Sequence, residues 1–106
     1  MKNSDFCQFS EETARFISIL RQHLPEISRK YNISYLGIFG SYVRGEQEPE
    51  SDLDILVEFE EAPSFFEYIR LEDYLSEILG VKVDLVMKSA LKPAIGKRIL
   101  DEVASV

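Results

Sequence analysis

The sequence predicts an α/β domain built on a small mixed three-stranded sheet flanked by helices, and three observations predict it. Residues 52–60 and 81–88 alternate apolar and polar side chains with the period of a strand. Residues 33–40, "ISYLGIFG", form a short apolar run rich in strand formers and closed by glycine. Between and around these runs, apolar residues recur at helical spacing.

The elements follow in chain order. Ser10 can cap a helix whose first turn carries Glu11 and Glu12, with Phe16, Ile17, Leu20, Leu24, Ile27 and Tyr31 on one stripe. Pro25 falls inside this pattern and is expected to kink the helix or split it. After the strand at 33–40, residues from Ser41 to about Glu46 leave room for one or two helical turns, and the polar "EQEPES" reads as a loop. In the next strand Leu53, Ile55, Val57 and Phe59 point one way, while Asp52, Asp54, Leu56, Glu58 and Glu60 point the other. One face is therefore core and the other mostly acidic. Pro63 can start a helix at its first position, and the stripe Phe65, Tyr68, Leu71, Leu75, Ile78 and Leu79 runs to a stop at Gly80. In the third strand Val81, Val83, Leu85 and Met87 face the core and Asp84 faces away. A last helix starts at Pro93 and uses Ile95, Ile99, Leu100 and Val103, weakened by Gly96. The connection from Gly40 to Asp52 is near the minimum for a parallel crossover, so a mixed sheet is expected.

At 106 residues without repeats or a long linker, residues 1–106 are expected to form a single domain. A 45% hydrophobic and 29% charged composition is that of a globular protein, and no run approaches membrane-spanning length. The N-terminal "MKNSDFCQFS" lacks the apolar segment of a secretory signal, so the expected location is cytoplasmic, away from membranes. With one cysteine, Cys7, and one histidine, His23, an internal disulfide and a cysteine-histidine metal cluster are both excluded. Any metal would have to be held by oxygen. The net charge of −7 comes without a basic stripe, which argues against direct binding of long nucleic acid. A nucleotide needs only a few local donors.

The chemistry concentrates in "FGSYVRGEQEPESDLDILVEFE". Asp52 and Asp54 lie two apart on one strand face, roughly 6.5 to 7 Å from each other along the chain. If the strand carrying Asp84 is their neighbour, about 4.8 Å away, a third carboxylate joins them. Three carboxylates on a polar sheet face suit two Mg²⁺ ions, which take oxygen ligands. Gly40 permits close backbone approach, and Ser41, at a helix start, offers amides and a hydroxyl to phosphate oxygens. Arg44, one turn on, is the nearest planar cation for a polyphosphate. Singly, each piece also has an ordinary structural reading. The aspartate pair could be a solvated loop end, Asp84 an exposed ion pair with the flanking lysines, and Arg44 a partner of Glu46 or Glu48. Phe65, Phe66 and Tyr68 read as core before interface, and Lys92, Lys97 and Arg98 as a solvated helix face before an RNA contact.

Gly40-Ser41, ten residues, then Asp52-Leu53-Asp54, with Arg44-Gly45-Glu46 and Ser51 between them, resembles the pattern of the DNA polymerase beta-type nucleotidyltransferases, most nearly their minimal branch. Val43 stands where many minimal members have alanine, a packing difference. The resemblance implies a polymerase beta-like core that transfers AMP from ATP to a hydroxyl. Asp52 and Asp54 would bind both metal ions, Asp84 would bind one of them or take the acceptor's proton, and Gly40, Ser41 and Arg44 would hold the triphosphate. Chains this short are similar to the MNT antitoxins paired with HEPN-domain toxins, which implies a HEPN toxin as partner and its tyrosine as acceptor. Two alternatives stay open: neutralisation of the partner by binding alone, with the nucleotide site vestigial, and service as the catalytic subunit of a two-chain small-molecule nucleotidyltransferase.

Overall fold

A computed structural model describes residues 10–106; Cys7 and the other residues of 1–9 lie outside the described part. The order is α1 (Glu11–Tyr31), β1 (Ile33–Phe39), α2 (Ser41–Arg44), β2 (Leu53–Phe59), α3 (Phe65–Leu79) and β3 (Val83–Met87), then a 3₁₀ turn at Lys88–Ala90, α4 (Pro93–Glu102) and β4 (Ala104–Ser105).

The sheet is mixed, as expected, but it has four strands rather than three, in the order β3-β2-β1-β4. β1 runs antiparallel to both β2 and β4, and β2 runs parallel to β3. α3 makes the crossover that the parallel pair requires. One sheet face buries Leu36, Ile38, Leu53, Ile55 and Val57 against Phe16, Leu20 and Ile27 of α1 and Leu71 and Leu75 of α3.

The other face is only partly acidic. Leu56, the apolar member of the mostly acidic face that carries Asp54, is fully buried. The chain's end covers it. Gly37 pairs with Leu56 across the sheet, and a Cβ at Gly37 would come within 2.7 Å of Val103. A larger residue at 37 would push the C-terminal segment off the sheet.

α1 is capped by Ser10, whose hydroxyl accepts from the Thr13 amide at 3.1 Å. Pro25 does not split it: the helix runs unbroken for 21 residues. Pro25 sits on the exposed side, so its cost stays near one backbone hydrogen bond while the buried stripe opposite carries the helix through. Pro63, expected as the first helical residue of α3, lies outside it. The cap is Ser64, whose hydroxyl accepts from the Glu67 amide while Glu67 accepts in return from the Ser64 amide. Ser64→Ala is expected to lower unfolding free energy by about 1 kcal/mol in urea titrations, and Pro63→Ala by less.

The outer edge of β3 is occupied by one face of α3. Ser76 accepts from the Val83 amide at 3.0 Å, Glu72 accepts from the Leu85 amide at 2.9 Å, and the Tyr68 hydroxyl donates to the Leu85 carbonyl. Residues 68, 72 and 76 are spaced i, i+4, i+8, so a single helical row satisfies the edge. Tyr68 thus has a structural partner. Phe65 and Phe66 do not share its burial: they are 73% and 75% exposed, against the expectation of core.

Candidate active site

At the end of β1 the chain turns sharply through Gly40, which has φ +86° and caps the four-residue α2. The turn is anchored from behind by Thr13, a fully buried polar residue whose hydroxyl donates to the Tyr42 carbonyl at 3.1 Å. Phe16 packs edge-on against the Tyr42 ring, with centroids 5.6 Å apart. The loop that follows closes on Ser51, whose hydroxyl accepts from the Glu48 amide at 2.8 Å, and so delivers the chain to Asp52 and β2.

The sheet register brings the carboxylates together. Asp54 lies opposite Phe39 on β1 and beside Asp84 on β3. Adjacent strands place such partners about 4.8 Å apart, with side chains on the same face. Asp52 lies just before the strand. No ion-pair partner for Asp52, Asp54 or Asp84 occurs among the described residues; Lys88, which flanks the segment, reaches Glu58 at 3.7 Å instead. The lysine-pairing alternative for Asp84 is therefore not realised.

The consequence falls on Asp54. Burial first, then the charges of Asp84 and Asp52, push its carboxyl from the ordinary 3.8 up to about 6. Arg44 pulls the other way more weakly. Burial, aided by Glu12 and Asp52, likewise raises the Tyr42 hydroxyl. Among the described residues, no three His, Cys, Asp or Glu side chains are closed tightly enough to hold an ion as they stand. The donor set nonetheless fits Mg²⁺: it is all carboxylate oxygen on one face, and repulsion within it would be relieved by a cation. Asp52, Asp54 and Asp84 are the residues that would hold it.

Two residues that sequence reasoning did not place complete the site. Glu102, at the end of α4, accepts from the Gly40 amide at 2.9 Å and from Arg44 Nη1 at 3.0 and 3.2 Å. Arg44 Nε also donates to Glu46 at 3.0 Å, so Glu46, and not Glu48, is its local partner. Arg98, the second, stands in the same cleft. That cleft, of about 250 Å³, is floored by Phe39, Gly40 and Asp54, flanked by Arg44, and walled by Ile95, Arg98, Ile99 and Glu102 of α4. A larger open hollow of about 810 Å³, with Tyr31, Tyr74 and Lys82 along it, contains none of Asp52, Asp54, Asp84 and Gly40. The smaller one holds Gly40, Arg44 and Asp54, while Ser41, Asp52 and Asp84 do not line it. No signal within a short window of sequence could pair Glu102 with Gly40.

The paired carboxylates, the glycine-serine turn and the nearby guanidinium can together receive a phosphorylated ligand with its cations. Among the described residues no helix is long and apolar enough to cross a membrane. Comparison with known proteins points to the same chemistry. The nucleotidyltransferase domain family matches residues 20–106. The protein adenylyltransferase MntA of Thermococcus cleftensis is 53% identical over 89 residues, 84% of this chain and 90% of that protein. A solved structure assigned to the minimal nucleotidyltransferases superposes with a TM-score of 0.71 at 33% identity, covering 89% of this chain and 91% of that one. A structure of a tri-AMPylated HEPN toxin of Shewanella oneidensis in complex with an MNT antitoxin shares the fold, with a TM-score of 0.56 at 20% identity over 89% of this chain and 67% of the other.

Proposed function

The chain belongs to the nucleotidyltransferase domain family, in its minimal branch, and from that premise we propose that it transfers AMP from ATP to a tyrosine hydroxyl of a HEPN-type toxin and serves as that toxin's antitoxin. The observation that carries the reading is the placement of Asp54 beside Asp84 in register, with Asp52 next along the chain and the Gly40-Ser41 turn against them. The named activity of the Thermococcus relative supports AMP as the group moved, and the HEPN complex of the Shewanella antitoxin supports the partner.

In this reading Ser41 and the amides of the turn hold the triphosphate tail, with Arg44 beside them. Asp52 and Asp54 hold the Mg²⁺ ions, two being expected, which when bound neutralise charge on the phosphates. Asp84 faces the acceptor and receives its proton at a carboxylate oxygen as the acceptor oxygen bonds to the α-phosphorus. The bond between the α-phosphorus and the bridging oxygen breaks, and pyrophosphate leaves. Phe65 and Phe66 sit at the opposite end of β2 from Asp54, so they do not contribute to this site.

The test is incubation of the chain with the product of the neighbouring reading frame, ATP labelled on its α-phosphate, and Mg²⁺. Label that survives denaturation of the partner and vanishes with a chelator is the expected result. Intact binding and neutralisation with no label from any nucleotide would replace this reading with antitoxin action by binding alone.

A further inference from the structure

The helix α4 turns two chemically different sides outward. Ile95, Arg98, Ile99 and Glu102, spaced i, i+3, i+4, i+7, share the side that walls the cleft over Asp54 and Gly40. Lys92, Lys97, Leu100 and Asp101 line a separate hollow on another side. Neighbours in sequence, Lys97 and Arg98 therefore serve different surfaces, although composition alone groups them as one basic patch.

Two guanidinium groups line the cleft, and their situations differ. Arg44 is engaged by two carboxylates, Glu46 and Glu102. Arg98 is exposed and has no ion-pair or hydrogen-bond partner among the described residues. The cleft also contains the Asp54 and Glu102 carboxylates in a chain of net charge −7. A triphosphate entering there brings several more negative charges, and Arg44 is already engaged by two of the protein's own carboxylates. A planar, uncommitted guanidinium on the facing wall is suited to bidentate contact with phosphate oxygens.

We propose that Arg98 is a substrate-binding residue that grips the phosphate tail of the nucleotide from the α4 side of the cleft, across from Gly40-Ser41. The inference rests on the nucleotidyl-transfer reading above and deepens it: the C-terminal helix becomes one jaw of the nucleotide site and the glycine turn the other. Ile95, 53% exposed at the cleft mouth, then offers an apolar surface one turn from the phosphate contact, on the side open to the nucleoside.

The experiment measures equilibrium binding to the whole chain in Mg²⁺, using ATP made non-transferable by a methylene bridge between its α- and β-phosphates, and separately inorganic tripolyphosphate. Arg98→Gln is expected to weaken both ligands by the same factor, about 10-fold or more, as loss of a charge-assisted contact requires. Arg98→Lys should recover part of the loss, because it restores charge without the fork. Lys97→Gln, on the other surface, should change neither ligand by more than about 2-fold. Tripolyphosphate binding equal in wild type and Arg98→Gln would overturn the assignment, including the case where only the ATP analogue weakens, which would place Arg98 on the nucleoside. Failure of the wild-type chain to bind either ligand would instead overturn the nucleotidyl-transfer reading itself, and this inference with it.

Discussion

Asp54→Asn is expected to abolish AMP transfer to the partner, by on the order of 10³-fold or more, while making the isolated chain more resistant to heat at neutral pH. The two halves of the result have one cause. Asp54 is held half-buried between Asp52 and Asp84, and that arrangement raises its carboxyl from 3.8 to about 6. Asparagine preserves the shape but removes both the charge that would hold a cation and the repulsion from Asp52 and Asp84. A loss of stability at every pH would show that Asp54 is held by structural hydrogen bonds and not by a site awaiting a cation.

The sign of the pH dependence follows from linkage. A raised pKa means the folded chain binds this proton more tightly than the unfolded chain does. Below about pH 3 both states are largely protonated and Asp54 carries almost no penalty. As pH rises from about 4 to about 6 the unfolded state ionises freely and the folded state resists, so stability falls; above about 6 the full penalty stands. An upward shift of about two units would amount to roughly 3 kcal/mol for a fully shielded group, and solvent access reduces this to about 1 to 2 kcal/mol. In chelator, Asp54→Asn should therefore melt several degrees higher than wild type at pH 7.5, and the difference should close by about pH 3. Added Mg²⁺ should raise the wild-type melting temperature and leave the variant unmoved, because only the charged site gains from the ion.

Much of the site could be read along the chain because strand periodicity is strict. A period of two places Asp52 and Asp54 together and turns Asp84 to the polar side, whatever the tertiary details. The left-handed cap at Gly80 and the Ser10 cap are equally local. The parts that escaped depend on contacts between distant segments. β4 is two residues long and has no period to detect, and it exists because Gly37 and Ile38 leave a strand edge for Ser105 and Ala104 to pair with. The burial of Leu56 on the acidic face depends on the C-terminal segment, whose Val103 packs over Gly37, the cross-strand partner of Leu56. Arg44 finds Glu102, 58 residues later, as well as its near neighbour Glu46, and Arg98 reaches the cleft only because the end of α4 docks on the Gly40 turn through Glu102. Pro25 shows the reverse case, where a strong local breaker is overruled by the buried stripe on the far side of its helix.

Gly40→Ala is expected to cost on the order of 10²-fold in activity, less than loss of Asp54 and through geometry alone. Gly40 has φ +86° and ψ −153°, a region essentially confined to glycine, where another residue costs about 1 to 3 kcal/mol. A Cβ there would also collide with Asp54 Oδ2, so either the carboxylate swings away from Asp84 or the turn retreats from the sheet. Either displacement approaches 1 Å, enough to cost on the order of 10²-fold in transfer. Gly45→Ala separates the two contributions: Gly45 has φ +74° but nothing within 4 Å of a Cβ, so it should lose about 1 kcal/mol of stability and little activity. A double-mutant cycle in denaturant completes the test. Asp54→Ala removes the carboxylate that the new methyl would strike, so Gly40→Ala should destabilise that background less than it destabilises wild type. Equal cost in the two backgrounds would mean that the turn's own backbone, and not its contact with Asp54, demands the glycine.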